Sequence, residues 1–179
     1  KEINNLENFN INSFKSNYIY NQSAQFYYNQ IINNCYNKIK FIDNKDNGNN
    51  RNYTPIFIIG LPRSGSTLLE SILTSADEIV KTCAESHVVN MSILEQVGPK
   101  IFVKNFDASK FIFEINQIKL ENSILQRYKN FNIIKTNSNF TFIDKSLENF
   151  FNIEVILKIF PNARFLHTFR NPIDSVISI

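Results

Sequence analysis

The sequence predicts an α/β domain, a three-layer P-loop-type parallel sheet flanked by helices, with a helical N-terminal extension. Three observations carry this expectation. From residue 53 onward, short apolar runs alternate with helical stretches, the pattern of parallel strands joined by crossover helices. The first run, Pro55-Ile-Phe-Ile-Ile59, leads straight into the glycine-bounded loop Gly60-Leu-Pro-Arg-Ser-Gly-Ser-Thr67 and then into a helix. Ahead of it, the polar, Asn-rich residues 1–52 place Tyr20, Ala24, Tyr27, Ile31, Cys35 and Ile39 at helical spacing. The chain therefore reads as a helical extension and linker over 1–52 and a domain over 53–179.

The elements follow in order. Residues 43–52 are a loop by composition. The run 55–59 is continuous rather than alternating, as in a strand buried on both faces. Ser66–Thr74 reads as a helix and Ile79–Cys83 as a short second strand. Residues 86–97 and 107–128 read as mostly helical, with lysines on solvated faces. Phe140–Ile143 is a strand ending at Asp144-Lys145, and Leu147–Phe160 a helix closed by Pro161-Asn162. Arg164–Phe169 is a further strand, in which His167 is expected to be half-buried or in the core. Pro172 suits the first position of a last helix. The Phe and Tyr content is expected in the core. In sheets of this kind ligands sit beyond the carboxyl ends of the strands, where both motifs below fall.

Composition narrows the function classes. The formal net charge of +3 is too small to argue for nucleic acid. Cys35 and Cys83 form neither a metal pattern nor a disulfide framework and read as free thiols of a reducing, cytoplasmic compartment. No apolar run approaches the ~18 residues of a membrane span, and no signal peptide is evident. The chain lacks an initial Met and stops at Ile179, within the first turns of a helix. Both ends are therefore expected to be cut, and the domain incomplete at its C-terminus.

The loop matches G-x-x-x-x-G-K-[ST] at Gly60, Gly65 and Thr67, with Ser66 in place of the lysine. The physics of an anion cradle survives across Pro62, Arg63, Ser64, Gly65, Ser66 and Thr67. N–H groups at a helix start favour an anion, Gly65 permits close backbone approach, and Arg63 offers a planar fork. Without the lysine, and with no acidic strand end but Asp144 to hold magnesium, metal-assisted hydrolysis of a nucleoside triphosphate is poorly served. A second basic segment, Arg164 to Ser178, carries Arg170 at a strand exit and Ser178 about two turns into the next helix. The pair can hold a second phosphate, or Arg170 can be an ordinary solvated arginine.

At these residues the chain resembles the sulfotransferases that use 3′-phosphoadenosine-5′-phosphosulfate (PAPS), most of all the bacterial tetratricopeptide-repeat-linked branch and the protein-tyrosine sulfotransferases. The resemblance covers roughly residues 54–179. It implies that LPRSGSTLLESIL binds the 5′-phosphosulfate, and that Arg170 and Ser178 within FPNARFLHTFRNPIDSVIS bind the 3′-phosphate. The block IDKSLENFFNIEVILKIFPNA resembles the family's aspartate-lysine element and puts Lys145 opposite the transferred group. Ala84-Glu85 stands where the family has a Gly-Glu pair whose Glu is the proposed base. Ser86-His87 stand where tyrosine-specific members carry an acidic residue and an arginine.

The function so implied is transfer of a sulfuryl group from PAPS to a hydroxyl acceptor, a peptide tyrosine or a small molecule, without metal, nucleic acid or membrane segment. Arg63, Lys145 and Glu85 would be the catalytic residues. The alternatives are a P-loop phosphotransferase and an inactive fragment that keeps the nucleotide-binding scaffold. On the residues alone, Lys145 can equally be a surface partner of Asp144, and Glu85 a carboxylate favoured by a helix N-terminus.

Overall fold

The computed structural model describes residues 39–42, 53–76, 80–101, 107, 113–134 and 140–178. The predicted helix over 20–39 and the linker over 43–52 lie outside these residues, save Ile39, which begins a strand instead of ending a helix. The chain forms two compact units, residues 1–40 with 100–114, and residues 41–99 with 115–179. Strand β1 (Ile39–Ile42) pairs with β4 (Phe113–Asn116) in a two-stranded sheet. The main sheet and the site described below belong to the second unit. Among the described residues no helix is long and apolar enough to cross a membrane.

The main sheet has the order β3-β5-β2-β6 and is parallel throughout, with helices flanking it as the sequence predicts. Its central strand β2 (Ile56–Gly60) lies between β5 (Phe142–Asp144) and β6 (Arg164–Thr168), in register Ile56↔Ile143 and Ile56↔Arg164. The short β3 (Lys81–Thr82) pairs with β5 on its other side. From β2 the chain passes β5 to reach β3, returns to β5, and then crosses β2 to β6. The connection leaving β2 thus runs to one side and the one from β5 to β6 crosses to the other, and a ligand crevice is expected outside the carboxyl end of β2.

Helix α1 (Ser66–Ala76) follows β2, α2 (Val88–Ile101) follows β3, and α3 (Gln117–Asn130) follows β4. A 3-10 helix (Leu147–Asn152) runs into α4 (Ile153–Ile159), and α5 (Pro172–Ile177) follows β6. Phe57, Ile58, Phe142 and Ile143 are completely buried in the sheet. Leu120, Ile124 and Tyr128, spaced by four along α3, pack on one face, and Val155, Ile156 and Ile159 bury the face of α4. Tyr128, Phe142 and Phe160 form an aromatic cluster, with ring centroids 4.6 Å apart for Tyr128–Phe142 and 6.3 Å for Phe142–Phe160. Each such ring contributes about 1.5–3 kcal/mol of burial.

The structure departs from the sequence reading in three places. Within the stretch read as helical over 107–128, residues 113–116 are a strand, in which Glu114 is exposed and Ile115 is buried. The helix starts after Asn116, whose extended backbone and side-chain bond from Lys119 N–H (2.9 Å) make a cap. The stretch 147–160 begins as a 3-10 helix because three residues per turn put Asn149 and Asn152 on one buried face. His167, expected to be half-buried or core, is exposed, because β6 is an edge of the described sheet.

Candidate functional site

The carboxyl end of β2 and the loop behind it are shaped by close packing. Gly60 has φ 147°, and a Cβ there would stand 2.5 Å from the carbonyl oxygen of Thr168 and 2.6 Å from its hydroxyl. Only glycine fits both conditions. The Ser64 hydroxyl donates to the Leu61 carbonyl (2.6 Å) and lies 2.6 Å from the Thr168 hydroxyl. Ser64, a predicted ligand residue, is thus occupied in tying the loop to β6. Arg63 and Gly65 take left-handed backbone, φ 63° and 97°. Helix α1 begins with the Gly65 carbonyl accepting from Leu69 N–H at 3.0 Å. The first-turn N–H groups, including those of Ser66 and Thr67, therefore have no acceptor within the helix.

A cavity of about 410 Å³ opens above this helix start, within the usual size for small-ligand sites. Pro62, Arg63, Gly65, Ser66 and Thr67 of the loop and helix start line it, together with Glu85, Leu147, Arg170 and Ser178. Asn171 caps α5 by accepting from Ile173 N–H (2.9 Å), and Pro172 occupies the first turn. Ser178 caps the other end of that helix. The two basic segments touch directly. Arg63 Nε donates to Ser178 Oγ at 3.1 Å, and Arg170 Nη1 donates to the Arg63 carbonyl at 3.1 Å.

Lys145 leaves β5 towards this loop rather than towards its neighbour Asp144. Its ammonium donates to Glu85 Oε1 (2.9 Å) and Thr67 Oγ1 (3.3 Å), and sits 3.6 Å from Glu70 Oε2. The side chain is 7% exposed, so the surface-pair alternative does not hold. Burial alone would lower its pKa. The hydrogen bond and charge of Glu85, with the charge of Glu70, outweigh burial and hold the pKa above the ordinary lysine value. Glu85 lies three residues ahead of α2, and its recorded partner is Lys145 rather than the helix start. Ala84 before it has φ 49°, a conformation that glycine adopts freely and alanine only with strain. The Gly-Glu pair of the resembled family suits this backbone, and Ala84 takes the same geometry at a cost.

Glu70 escaped the sequence reading. It lies one turn after Thr67 on the same helix face and is 8% exposed. Its Oε1 accepts from the Thr82 hydroxyl, and that hydroxyl accepts from Ala84 N–H at 3.0 Å. The Ala84 carbonyl in turn accepts from Lys145 N–H at 2.9 Å.

Asp144 is fully buried and both its oxygens are engaged. One accepts from Tyr128 OH (2.7 Å) and Ser86 OH (3.1 Å), the other from Ser146 N–H (2.8 Å) and Asn149 Nδ2 (3.1 Å). It is a structural hub between α3, the Glu85 turn and the 3-10 helix. Burial, and then the Asp144 charge, push the Tyr128 phenol and the Cys83 thiol well above their ordinary values. His87 pairs through Nδ1 with Glu148.

A central parallel strand that runs through a glycine-bounded loop into an anion-ready helix start, with a second basic segment beside it, defines an α/β protein of the phosphate-loop type. The sequence of the domain refines that class: the model of the sulfotransferase family matches residues 55–179. The chain belongs to the sulfotransferase family. An uncharacterized protein of Aquifex aeolicus (strain VF5) is 35% identical over 133 residues, covering 69% of this chain. The chain spans 16% of that relative's length.

Proposed function

We propose that this domain transfers a sulfuryl group from PAPS to a hydroxyl-bearing acceptor. One observation carries the reading: Pro62, Arg63, Gly65, Ser66 and Thr67 line a single cavity together with Arg170 and Ser178. Two anion-binding segments facing one cavity suit a ligand with phosphate groups at two positions of one nucleoside. The residues present fit the donor. The helix start supplies free N–H groups, the Arg63 and Arg170 guanidiniums supply forks, and Thr67 and Ser178 supply hydroxyls.

When bound, the donor supplies an activated sulfuryl group. The chain's own residues do the rest. Arg63, Thr67 and the N–H groups of the α1 start hold and orient the 5′ end; Arg170 and Ser178 hold the 3′-phosphate. Lys145, whose ammonium donates to Thr67 Oγ1, would balance the charge on the oxygen that leaves. Glu85, half exposed at the cavity wall, takes the proton as the acceptor oxygen bonds to sulfur. Acceptors are hydroxyl compounds reaching the Glu85 and Leu147 side, a peptide tyrosine or a small molecule. Asp144, the strand-end carboxylate, has both oxygens committed to four donors, so metal is not expected to enter through it.

Calorimetry tests the reading. Adenosine 3′,5′-bisphosphate should bind on the order of a hundredfold more tightly than 5′-AMP, since a phosphate lost from an Arg-Ser site costs a few kcal/mol. Equal affinities would overturn it.

A further inference from the structure

Lys145 carries its charge almost out of contact with water, and its three recorded partners are Glu85, Thr67 and Glu70. In the proposed mechanism, on which this inference rests, Glu85 must leave that arrangement to take a proton from the acceptor. Once protonated, Glu85 no longer balances the lysine. A buried ammonium without a counter-charge is strongly disfavoured. It would swing towards solvent or lose its own proton, when it is needed beside Thr67.

Glu70 meets this requirement. It stands on α1, one turn beyond Thr67, and like Lys145 it is not among the residues that line the cavity. Its two oxygens are divided. Oε2 faces the ammonium at 3.6 Å, and Oε1 holds the Thr82 hydroxyl, which holds Ala84 N–H, the residue before Glu85. The same carboxylate thus reaches the cation directly and the turn carrying the base through one hydroxyl. Among the described residues, Glu70 and Glu85 are the carboxylates paired with Lys145. Asp144 is engaged by four donors, and Glu148 by His87.

We propose that Glu70 is a positioning residue of the site: it keeps Lys145 charged and aimed at Thr67, and braces the Ala84–Glu85 turn through Thr82, so that Glu85 is free to exchange its lysine for a proton. Glu70 touches neither donor nor acceptor and acts through its neighbours.

The test combines a measurement on the lysine with one on catalysis, in the full-length protein and its Glu70→Gln and Glu70→Asp variants. The Lys145 ammonium is followed by proton–nitrogen NMR, assigned by its loss in Lys145→Met. In Glu70→Gln its titration midpoint should fall by about half a pH unit or more. The kcat should fall roughly tenfold to a hundredfold, while the donor KM moves less than about threefold. The alkaline limb of kcat should move to lower pH together with the lysine. Glu70→Asp, which keeps the charge but withdraws it by one methylene, should recover part of both effects, and it serves as the deciding variant if Glu70→Gln does not fold. Thr82→Val should lower kcat and leave the lysine midpoint in place. A midpoint and alkaline limb that stay at their wild-type positions overturn the proposal, whether or not kcat falls, because a purely structural glutamate would do no more than that. If the wild-type protein transfers no sulfuryl group, the reading of its function fails; the NMR titration alone then decides whether Glu70 holds Lys145.

Discussion

Arg63 and Ser178, 115 positions apart in the chain, are joined by a hydrogen bond of 3.1 Å from Nε to Oγ. Arg170 returns the contact by donating to the Arg63 carbonyl. The two basic segments therefore hold one another directly, with Ser178 Oγ as acceptor and its own hydroxyl proton left to donate.

Ser178→Ala and Arg170→Ala should each weaken adenosine 3′,5′-bisphosphate binding about tenfold to a hundredfold, or about 1.4–2.7 kcal/mol. Binding of 5′-AMP should move less than about threefold. Calorimetry with both nucleotides separates a 3′-phosphate contact from general loss of the cavity, which would weaken both alike.

Arg63 and Glu85 should divide in a single experiment. Arg63→Ala should weaken bisphosphate binding and slow transfer together, because in the proposed reaction the guanidinium serves both the bound and the reacting state. Glu85→Gln removes a negative charge from the wall of an anion cavity and keeps the shape. Nucleotide affinity should hold or rise slightly, while kcat falls about a hundredfold or more. Normal turnover in Glu85→Gln would assign the base elsewhere.

Two small substitutions should act in opposite senses on stability. Gly60→Ala forces a methyl to 2.5 Å from a backbone oxygen and should cost about 2–4 kcal/mol, read as a lower urea midpoint. Ala84→Gly relieves a left-handed alanine at φ 49°. Its midpoint should hold or rise, where an ordinary Ala→Gly change loses about 0.5–1 kcal/mol.

Alkaline pH should weaken the fold. Tyr128, Cys83 and Lys145 all titrate above their ordinary values in the folded chain. Above the pKa of each in the unfolded chain, the folded state therefore binds more protons, and stability falls as pH rises. The lysine's contribution is complete below about pH 10.4 and is lost as pH climbs through its raised value. The thiol and phenol begin to cost stability above about pH 8.5 and 10. Urea unfolding between pH 8 and 11 should show the decline, less steep in Lys145→Met and in Tyr128→Phe. A flat profile in the wild-type chain would contradict these shifts.

How far the sequence was legible depends on the range of the interaction that sets each feature. The β2-loop-α1 unit could be read because glycine spacing, a strand and a helix are local signals. Arg170 and Ser178 were readable as a pair, but nothing local shows that Ser178 meets Arg63. Lys145 and Glu85 came from resemblance, since a lysine next to an aspartate reads as a surface pair until the fold turns the two apart. Glu70 was hidden because a glutamate inside STLLESILT looks like a solvated helix face. In the structure Leu68 and Ile72 are exposed and Glu70 is buried, an inversion imposed by the site beside the helix. The strand at 113–116 was missed because its cap at Asn116 is a single residue in a stretch otherwise suited to helix.

Of the four described non-glycine residues with left-handed backbone, Asn132 lies elsewhere and three lie at this site. Arg63 lines the cavity, and Ala84 and His87 bracket Glu85. Each is held in a conformation that glycine would occupy with less strain. A library of variants screened for heat resistance alone should therefore drift towards glycine at these three positions. The resulting proteins would melt later and, at position 63, would have discarded the guanidinium that the cavity is built around. Screening for ligand retention alongside heat resistance should keep Arg63 and accept glycine at position 84, which makes the pattern of surviving substitutions a direct record of which strained residues serve binding and which do not.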